Sequence, residues 1–385
     1  MNSFEFISPT KIYFGKDKEK DIGNIISSYK FKKIALIYGG GSIKKIGLYD
    51  TVINNLQNNN IEYIEIANVQ PNPKLSLVKK AISTLKDKNI DMILAVGGGS
   101  VIDSAKLISH AMYYHGNPFD FNEGKATNSN PIPVGVILTI SAAGSELSDS
   151  CVISNDEITP YYKKGFNSNT NRPLFAILNP ELTYSVSKFQ TGCGIVDIMM
   201  HTLERYMNNN DSCMLSENMA IGLLKSVIHY GKIAIDNPND YEARAELMLA
   251  SSLSHNGLTG LGKKQLMRVH ALEHILSGCY DEVAHGEGLA ILWPAWSYYV
   301  LKNKKANDLL TKLAKELFNK DNAIEGIEAL KQYFKDIGMN TNLLSLKLNK
   351  PLDIQYMANQ FKNKSIKDFI DIDYNAFIEI FNLAR

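Results

Sequence analysis

The sequence predicts an α/β domain built on a parallel sheet, followed by an all-helical domain. Three observations carry this expectation. At 385 residues the chain exceeds what one hydrophobic core usually serves. Its first half alternates short apolar runs with amphipathic, Lys-rich segments, the pattern of strands and covering helices. Its second half is a series of long, helically periodic segments in which strand signals almost vanish. The division is placed between residues 1–184 and 185–385.

In the first half, Ile34-Ala35-Leu36-Ile37-Tyr38 is a buried strand that ends at Gly39-Gly40-Gly41-Ser42. A helix is predicted over residues 48–58, then a strand at Ile61-Glu62-Tyr63-Ile64, then a helix over 75–85. Met92-Ile93-Leu94-Ala95-Val96 is the next strand and ends at Gly97-Gly98-Gly99-Ser100. Val134-Gly135-Val136-Ile137-Leu138 follows, and Phe175-Ala176-Ile177-Leu178 closes the region before Asn179-Pro180 breaks the chain. In the second half, helical patterns run over 194–207, 216–235, 240–253, 266–280, 287–299 and 307–318.

Composition narrows the function classes. The formal net charge of +1 gives no electrostatic case for nucleic acid or an anionic membrane. No run of eighteen apolar residues predicts a membrane span, and the first fifteen residues lack the pattern of a secretory signal. Cys151, Cys193, Cys213 and Cys279 are scattered and form no CxxC pair, which fits a reducing cytoplasm.

Two features carry chemistry. Three glycines at 97–99 let the backbone turn sharply and approach a ligand, and the following helix start offers unpaired N–H groups to a pyrophosphate. A plain tight turn capped by Ser100 would read the same, and the loop is not a GxGxxG fingerprint. The earlier loop has Gly40 where an NAD binder places a carboxylate, with Ser42, Lys44 and Lys45 beside it. That combination favours NADP(H), with NAD possible, although the two lysines also suit a solvated helix start.

The second feature is a set of metal donors. Asp197 and His201 are four apart, which on a helix puts both on one face about 5–6 Å apart at Cβ. His270 and His274 repeat the spacing, and His285 follows a break. Imidazoles with a carboxylate suit Fe(II), Zn(II) or Mn(II), and the absence of a thiolate argues against a structural zinc site.

These residues carry a resemblance. Gly-Gly-Gly-Ser-x-x-Asp at 97–103, Pro71-Asn72-Pro73, Asn179-Pro180-Glu181-Leu182-Thr183, the Asp197/His201 segment and the block 270–293 resemble the iron-containing (group III) alcohol dehydrogenases, in the branch of NADPH-dependent butanol dehydrogenases and aldehyde reductases. The similarity runs over nearly the whole length. It implies a dehydroquinate synthase-like fold whose helical domain binds the metal, with the dinucleotide in a cleft between the domains. It also implies a homodimer.

By this resemblance Asp197, His201, His270 and His285 are the ligands of one divalent ion, and His274 lines the site without binding it. Gly40, Ser42, Asn72, Gly98, Gly99, Ser100, Asp103, Thr139, Lys163 and Leu182 match cofactor-contacting positions. The implied activity interconverts a primary alcohol, or a polyol, and its aldehyde or ketone by hydride transfer, with the carbonyl polarised by the ion and His274 relaying a proton.

Three departures stand out. Relatives usually read Pro-Ala-Thr-Gly-Ser-Glu where this chain has Ser141-Ala142-Ala143-Gly144-Ser145-Glu146. The lost hydroxyl at Ala143 costs on the order of 1 kcal/mol of cofactor binding, and Ser141 offers a hydroxyl in its place. Asn179 replaces a usual aspartate, and Gln265-Leu266-Met267 replaces Gly-Asp-Trp. Rival readings are a dehydroquinate-synthase-like lyase, a glycerol-dehydrogenase-like enzyme and a degenerate nucleotide-binding protein. The first two families normally hold their metal with one histidine fewer.

Overall fold

The computed structural model describes residues 1–208, 213–348, 350–362 and 364–385, in two compact units. One unit is Ile7–Val186; the other joins Met1–Phe6 to Ser187–Arg385. The chain thus passes between units after residue 186 rather than 184. Its first six residues group with the second unit, where the Asn2 N–H donates to the Gly262 carbonyl at 2.9 Å.

The first unit is built on strands β1 (Lys11–Phe14), β2 (Lys33–Gly39), β3 (Glu62–Val69), β4 (Met92–Gly97), β5 (Val134–Leu138), β6 (Ser150–Asn155), β7 (Tyr162–Asn167) and β8 (Phe175–Leu178). Six form one parallel sheet in the order β1-β8-β5-β4-β2-β3, while β6 and β7 pair as a separate antiparallel hairpin. Helices α1 (Ile22–Ser28), α2 (Ser42–Lys45), α3 (Leu48–Asn58), α4 (Leu75–Leu85), α5 (Gly99–Ala111) and α6 (Asp120–Glu123) complete it. Strands β4, β5 and β8 are wholly buried, which explains their unbroken apolar runs.

From β2 the chain moves outward to β3, and from β4 it moves the other way to β5. The strand order therefore reverses between β2 and β4. In open α/β sheets the crevice beyond the carboxyl ends of such strands is where ligands bind. Tyr38 pairs with Val96 and Gly97 with Leu138, so the loops starting at Gly40, Gly98 and Thr139 leave the sheet at one rim.

At the same rim, Asn179 explains its own departure from aspartate. Its Oδ1 accepts from the Glu181 N–H at 3.1 Å, and its Nδ2 donates to the buried Glu19 carboxylate at 2.9 Å. An aspartate could cap Glu181 but would face a second buried carboxylate without a proton to donate. Asn179→Asp is expected to destabilise the unit by about 1–3 kcal/mol, read as a lower midpoint in urea unfolding. A midpoint equal to wild type would overturn this account.

The second unit holds α7 (Lys188–Tyr206), α8 (Met214–Asp236), α9 (Tyr241–His255), α10 (Arg268–Cys279), α11 (His285–Lys302), α12 (Asn307–Phe318), α13 (Ala323–Asp336), α14 (Pro351–Gln360) and α15 (Tyr374–Leu383). Their apolar faces share one buried core. Trp293 and Trp296 belong to that core, with the Trp296 indole N–H donating to Asp368 at 2.5 Å. No described helix is long and apolar enough to cross a membrane.

Candidate metal centre and nucleotide loops

Three helices of the second unit bring the predicted donors together. Ser187 caps α7 through the Gln190 N–H, and the helix then runs unbroken through Asp197 and His201. His270 stands in the first turn of α10 and His285 opens α11. Gly286, the next residue, lets α11 come close to α7: a Cβ there would sit 2.2 Å from the Cys193 carbonyl oxygen.

Asp197 Oδ1 is the focus. His270 Nε2 lies 3.6 Å from it and His285 Nε2 3.8 Å. His201 Nδ1 lies 3.1 Å away but hydrogen-bonds the Asp197 carbonyl oxygen at 3.0 Å. Ligand bonds near 2.1 Å place the donors of a tetrahedral ion about 3.4 Å apart, close to the separations found. Asp197 Oδ1 and His270 Nε2 are buried without a hydrogen-bond partner. Burying two such atoms unpaired is costly, so the residues fit an ion that would satisfy both.

Two glutamates fix the rings. Glu204 accepts from His270 Nδ1, and also from the Val269 and His270 backbone N–H groups at 2.6 and 3.1 Å. Glu273 pairs with His285 Nδ1 in the same way. Each carboxylate leaves its histidine's Nε2 directed toward Asp197, the arrangement by which proteins orient imidazole ligands. Replacing either carboxylate, Glu204→Gln or Glu273→Gln, is expected to raise the metal dissociation constant about 10- to 100-fold. Competition against a chromophoric chelator measures it, and unchanged affinity in both variants would sink the orienting role.

The electrostatics agree with a cation site. Burial opposes charge on Asp197, but His201, with His270 and His285, outweighs it and holds the carboxyl well below the usual range. Burial, reinforced by His270, pushes His201 down to about 4, so it is neutral and able to donate its lone pair. Burial also opposes charge on His270, but Glu204 and Asp197 overcome it and raise that imidazole to about 9.

The sequence reading missed Glu204, Glu273 and His255. Glu204 follows His201 by three residues and Glu273 follows His270 by three, so each shares a helix face with a donor. His255, the last residue of α9, places its ring 3.9 Å from that of His201. His274 is half-buried, 5.7 Å ring to ring from His285, and forms with Glu273 and His285 a second group of converging donors. Because His285 Nδ1 is already paired with Glu273, that group is better read as support for the first.

In the first unit the Gly-rich loops occupy the rim described above. A Cβ on Gly98 would sit 2.3 Å from Ile140 Cγ2, so the turn admits only glycine there. Helix α5 begins at Gly99 with no side-chain cap; Ser100 lies inside it, and its carbonyl accepts the Ser104 hydroxyl. The expected alternative of a Ser100-capped turn is therefore not what forms; the Val101 and Ile102 N–H groups instead donate to the Gly98 carbonyl at 3.0 and 3.1 Å. Gly40 and Gly41 have nothing within 4 Å of an added Cβ, and Gly41 adopts a φ of 116°. Lys44 lies over the Tyr49 and Tyr38 rings at 4.5 and 5.4 Å, and both phenols donate to Glu65.

Asn72 and Lys163 are joined, Lys163 Nζ donating to Asn72 Oδ1 at 3.1 Å. The Thr139 N–H donates to the Gly97 carbonyl at 3.2 Å, and Leu182 lies in the turn Pro180–Thr183. Ser141 Oγ is enclosed without a hydrogen-bond partner. Asp103 faces inward, its two oxygens accepting from Ser145 Oγ at 2.5 Å and the Val152 N–H at 2.9 Å.

Comparison with known proteins follows the same division. Residues 9–180 match the family described as iron-containing alcohol dehydrogenase, and residues 191–381 match the C-terminal domain of that family. The chain is 38% identical to NADH-dependent butanol dehydrogenase A of Clostridium acetobutylicum, over 99% of each chain. It is 33% identical to the NADPH-dependent aldehyde reductase YqhD of Escherichia coli, over 89% of each. The crystal structure of NADH-dependent butanol dehydrogenase A from Thermotoga maritima superposes with a TM-score of 0.94 at 34% identity, covering 100% of this chain and 99% of that one.

Proposed function

From the premise that this chain belongs to the iron-containing alcohol dehydrogenase family, we propose that it reduces a small aldehyde with a nicotinamide cofactor, at one divalent ion held by Asp197, His201, His270 and His285. The observation that carries this reading is the convergence of donor atoms on the buried Asp197 Oδ1, each histidine of α10 and α11 oriented by its own carboxylate. When bound, the ion supplies Lewis-acid polarisation of the carbonyl oxygen and the nicotinamide supplies the hydride.

The chain's own residues do the rest. Asp197 and neutral His201 hold charge and lone pair in place, while Glu204 and Glu273 keep the rings of His270 and His285 from turning. His274, half-buried beside His285, relays a proton at a ring nitrogen to the product oxygen. The uncapped start of α5 takes the pyrophosphate, with Gly98 giving close backbone approach.

The relatives' names divide between NADH and NADPH, so cofactor preference is argued from the loop itself. The open space at Gly40 and Gly41, and the lack of a carboxylate from Gly39 to Ser42, support NADPH. The same reading takes iron or zinc as the metal, a homodimer as the assembly and a reducing cytoplasm for its four free cysteines.

Elemental analysis of the purified protein, combined with initial rates on butanal and an aldehyde panel with NADPH and NADH, tests the reading. The expected result is about one divalent transition metal per chain and metal-dependent oxidation of NADPH. Protein that binds metal but consumes neither cofactor with any aldehyde would overturn it, and turnover without net redox change would favour a lyase.

A further inference from the structure

The loop from 139 to 150 follows β5 and packs on the glycine turn of α5: Ile140 crowds Gly98, and the Ala143 Cβ lies 3.3 Å from where a Gly99 Cβ would stand. It carries one of this chain's departures from its relatives, at Ser141 to Glu146. Within it the Leu147 N–H donates to the Gly144 carbonyl at 3.2 Å and the Ser148 N–H to the Ser145 carbonyl at 3.4 Å. Gly144 turns the chain with a φ of 64°.

A dense set of bonds ties the loop to the middle of α5. Lys106 is 1% exposed, and five oxygens surround its Nζ. They are the Ser145 carbonyl at 2.7 Å and its Oγ at 2.8 Å, the Ser148 carbonyl at 3.2 Å and its Oγ at 3.3 Å, and the Ser150 carbonyl at 2.7 Å. One turn earlier on α5, Asp103 accepts from the same Ser145 hydroxyl and from Val152. An ammonium offers three protons, so these five acceptors share them.

Burying a full charge where no water reaches is expensive, and an apolar side chain would fill the same space at lower cost. Burial accordingly drives Lys106 toward its neutral form, with Asp103 opposing that shift. Three carbonyls and two hydroxyls converge on one Nζ here, so the path of the loop and the position of α5 are fixed together.

We propose that Lys106 is a positioning residue for the cofactor loop: with Asp103 it ties residues 145–150 to α5, and so sets how closely the 139–144 segment packs on the Gly98–Gly99 turn. This rests on the reading of that turn as the nucleotide site. It gives Asp103 a role inside the unit in addition to the cofactor contact that the family pattern implies.

The test is fluorescence titration of NADPH and NADH into the metal-loaded protein, with steady-state rates on butanal. In Lys106→Met the cofactor Kd and KM are expected to rise about tenfold or more, while kcat at saturating cofactor stays within about threefold and metal content is unchanged. Should Lys106→Met fail to fold, Ser145→Ala removes the shared hydroxyl without stranding a charge, and a rise of about threefold in cofactor Kd is expected. A folded Lys106→Met, or a Ser145→Ala, with wild-type cofactor Kd would overturn the proposal. So would a loss confined to kcat, or to stability, with cofactor Kd unmoved. Wild-type protein that binds neither NADPH nor NADH would instead sink the functional reading beneath it.

Discussion

His270→Ala is expected to leave a folded protein that retains almost no metal and reduces aldehydes at least about a thousandfold more slowly. His270 links the centre to α7. Its Nε2 faces Asp197, and its Nδ1 carries the proton that pairs with Glu204. The fold should survive because Glu204 keeps the Val269 and residue-270 backbone N–H groups, so the start of α10 stays tied to α7. Metal content by plasma mass spectrometry, circular dichroism and NADPH-dependent rates together read the result. A variant that folds, keeps about one ion per chain and still turns over would show that the donors have been misassigned.

Gly286→Ala should be the second large effect, although it touches no donor. The new Cβ would lie 2.2 Å from the Cys193 carbonyl oxygen and 2.6 Å from the Cys193 carbonyl carbon and Cα. These are backbone atoms of α7, which no rotamer change can move aside. Overpacking of this kind costs about 1–3 kcal/mol, and here α11 must also swing away from α7, taking His285 with it. Weakened metal binding should therefore accompany the loss of stability. Gly222→Ala in α8 is the control, since nothing lies within 4 Å of its Cβ and alanine favours helix by about 1 kcal/mol. If both variants melt and bind metal as wild type does, the close crossing of α7 and α11 is wrong.

Much of the fold was legible because the buried strands of a parallel sheet are nearly pure apolar runs. Strands β2, β4, β5 and β8 and helices α3 and α4 stand where the pattern put them. What escaped was structure whose cause lies elsewhere in the chain. Strand β1 is short and mostly exposed, and exists because β8 pairs with it. The β6–β7 hairpin has no clean alternation and is fixed in part by Ser154 reaching back to Pro73. Helix α7 starts six residues before its apolar periodicity, at the Ser187 cap. Residues 323–336, 351–360 and 374–383 are helices that bury their apolar faces in the shared core, and 351–360 is only weakly amphipathic.

The site divides the same way. Four-residue spacing on a helix showed which donors share a face, and that is local information. The pairing of Glu204 with His270 spans 66 residues, and a glutamate in a helix reads as surface until the partner helix arrives. Lys106 is the extreme case, since lysine is rarely buried and its five oxygens come from 39 to 44 residues away. Asn179 was visible as a departure, but its reason, the Glu19 carboxylate, lies 160 residues earlier.

The spread of donors over α7, α10 and α11 also sets an order of events during synthesis. When His201 leaves the ribosome, Asp197 and His201 are the whole donor set, and an ion held by two groups exchanges freely. Capture has to wait until α10 and α11 have docked, after the large apolar core they share with α7 has formed. On the proposed assignment, metal binding follows the formation of this core and does not nucleate it.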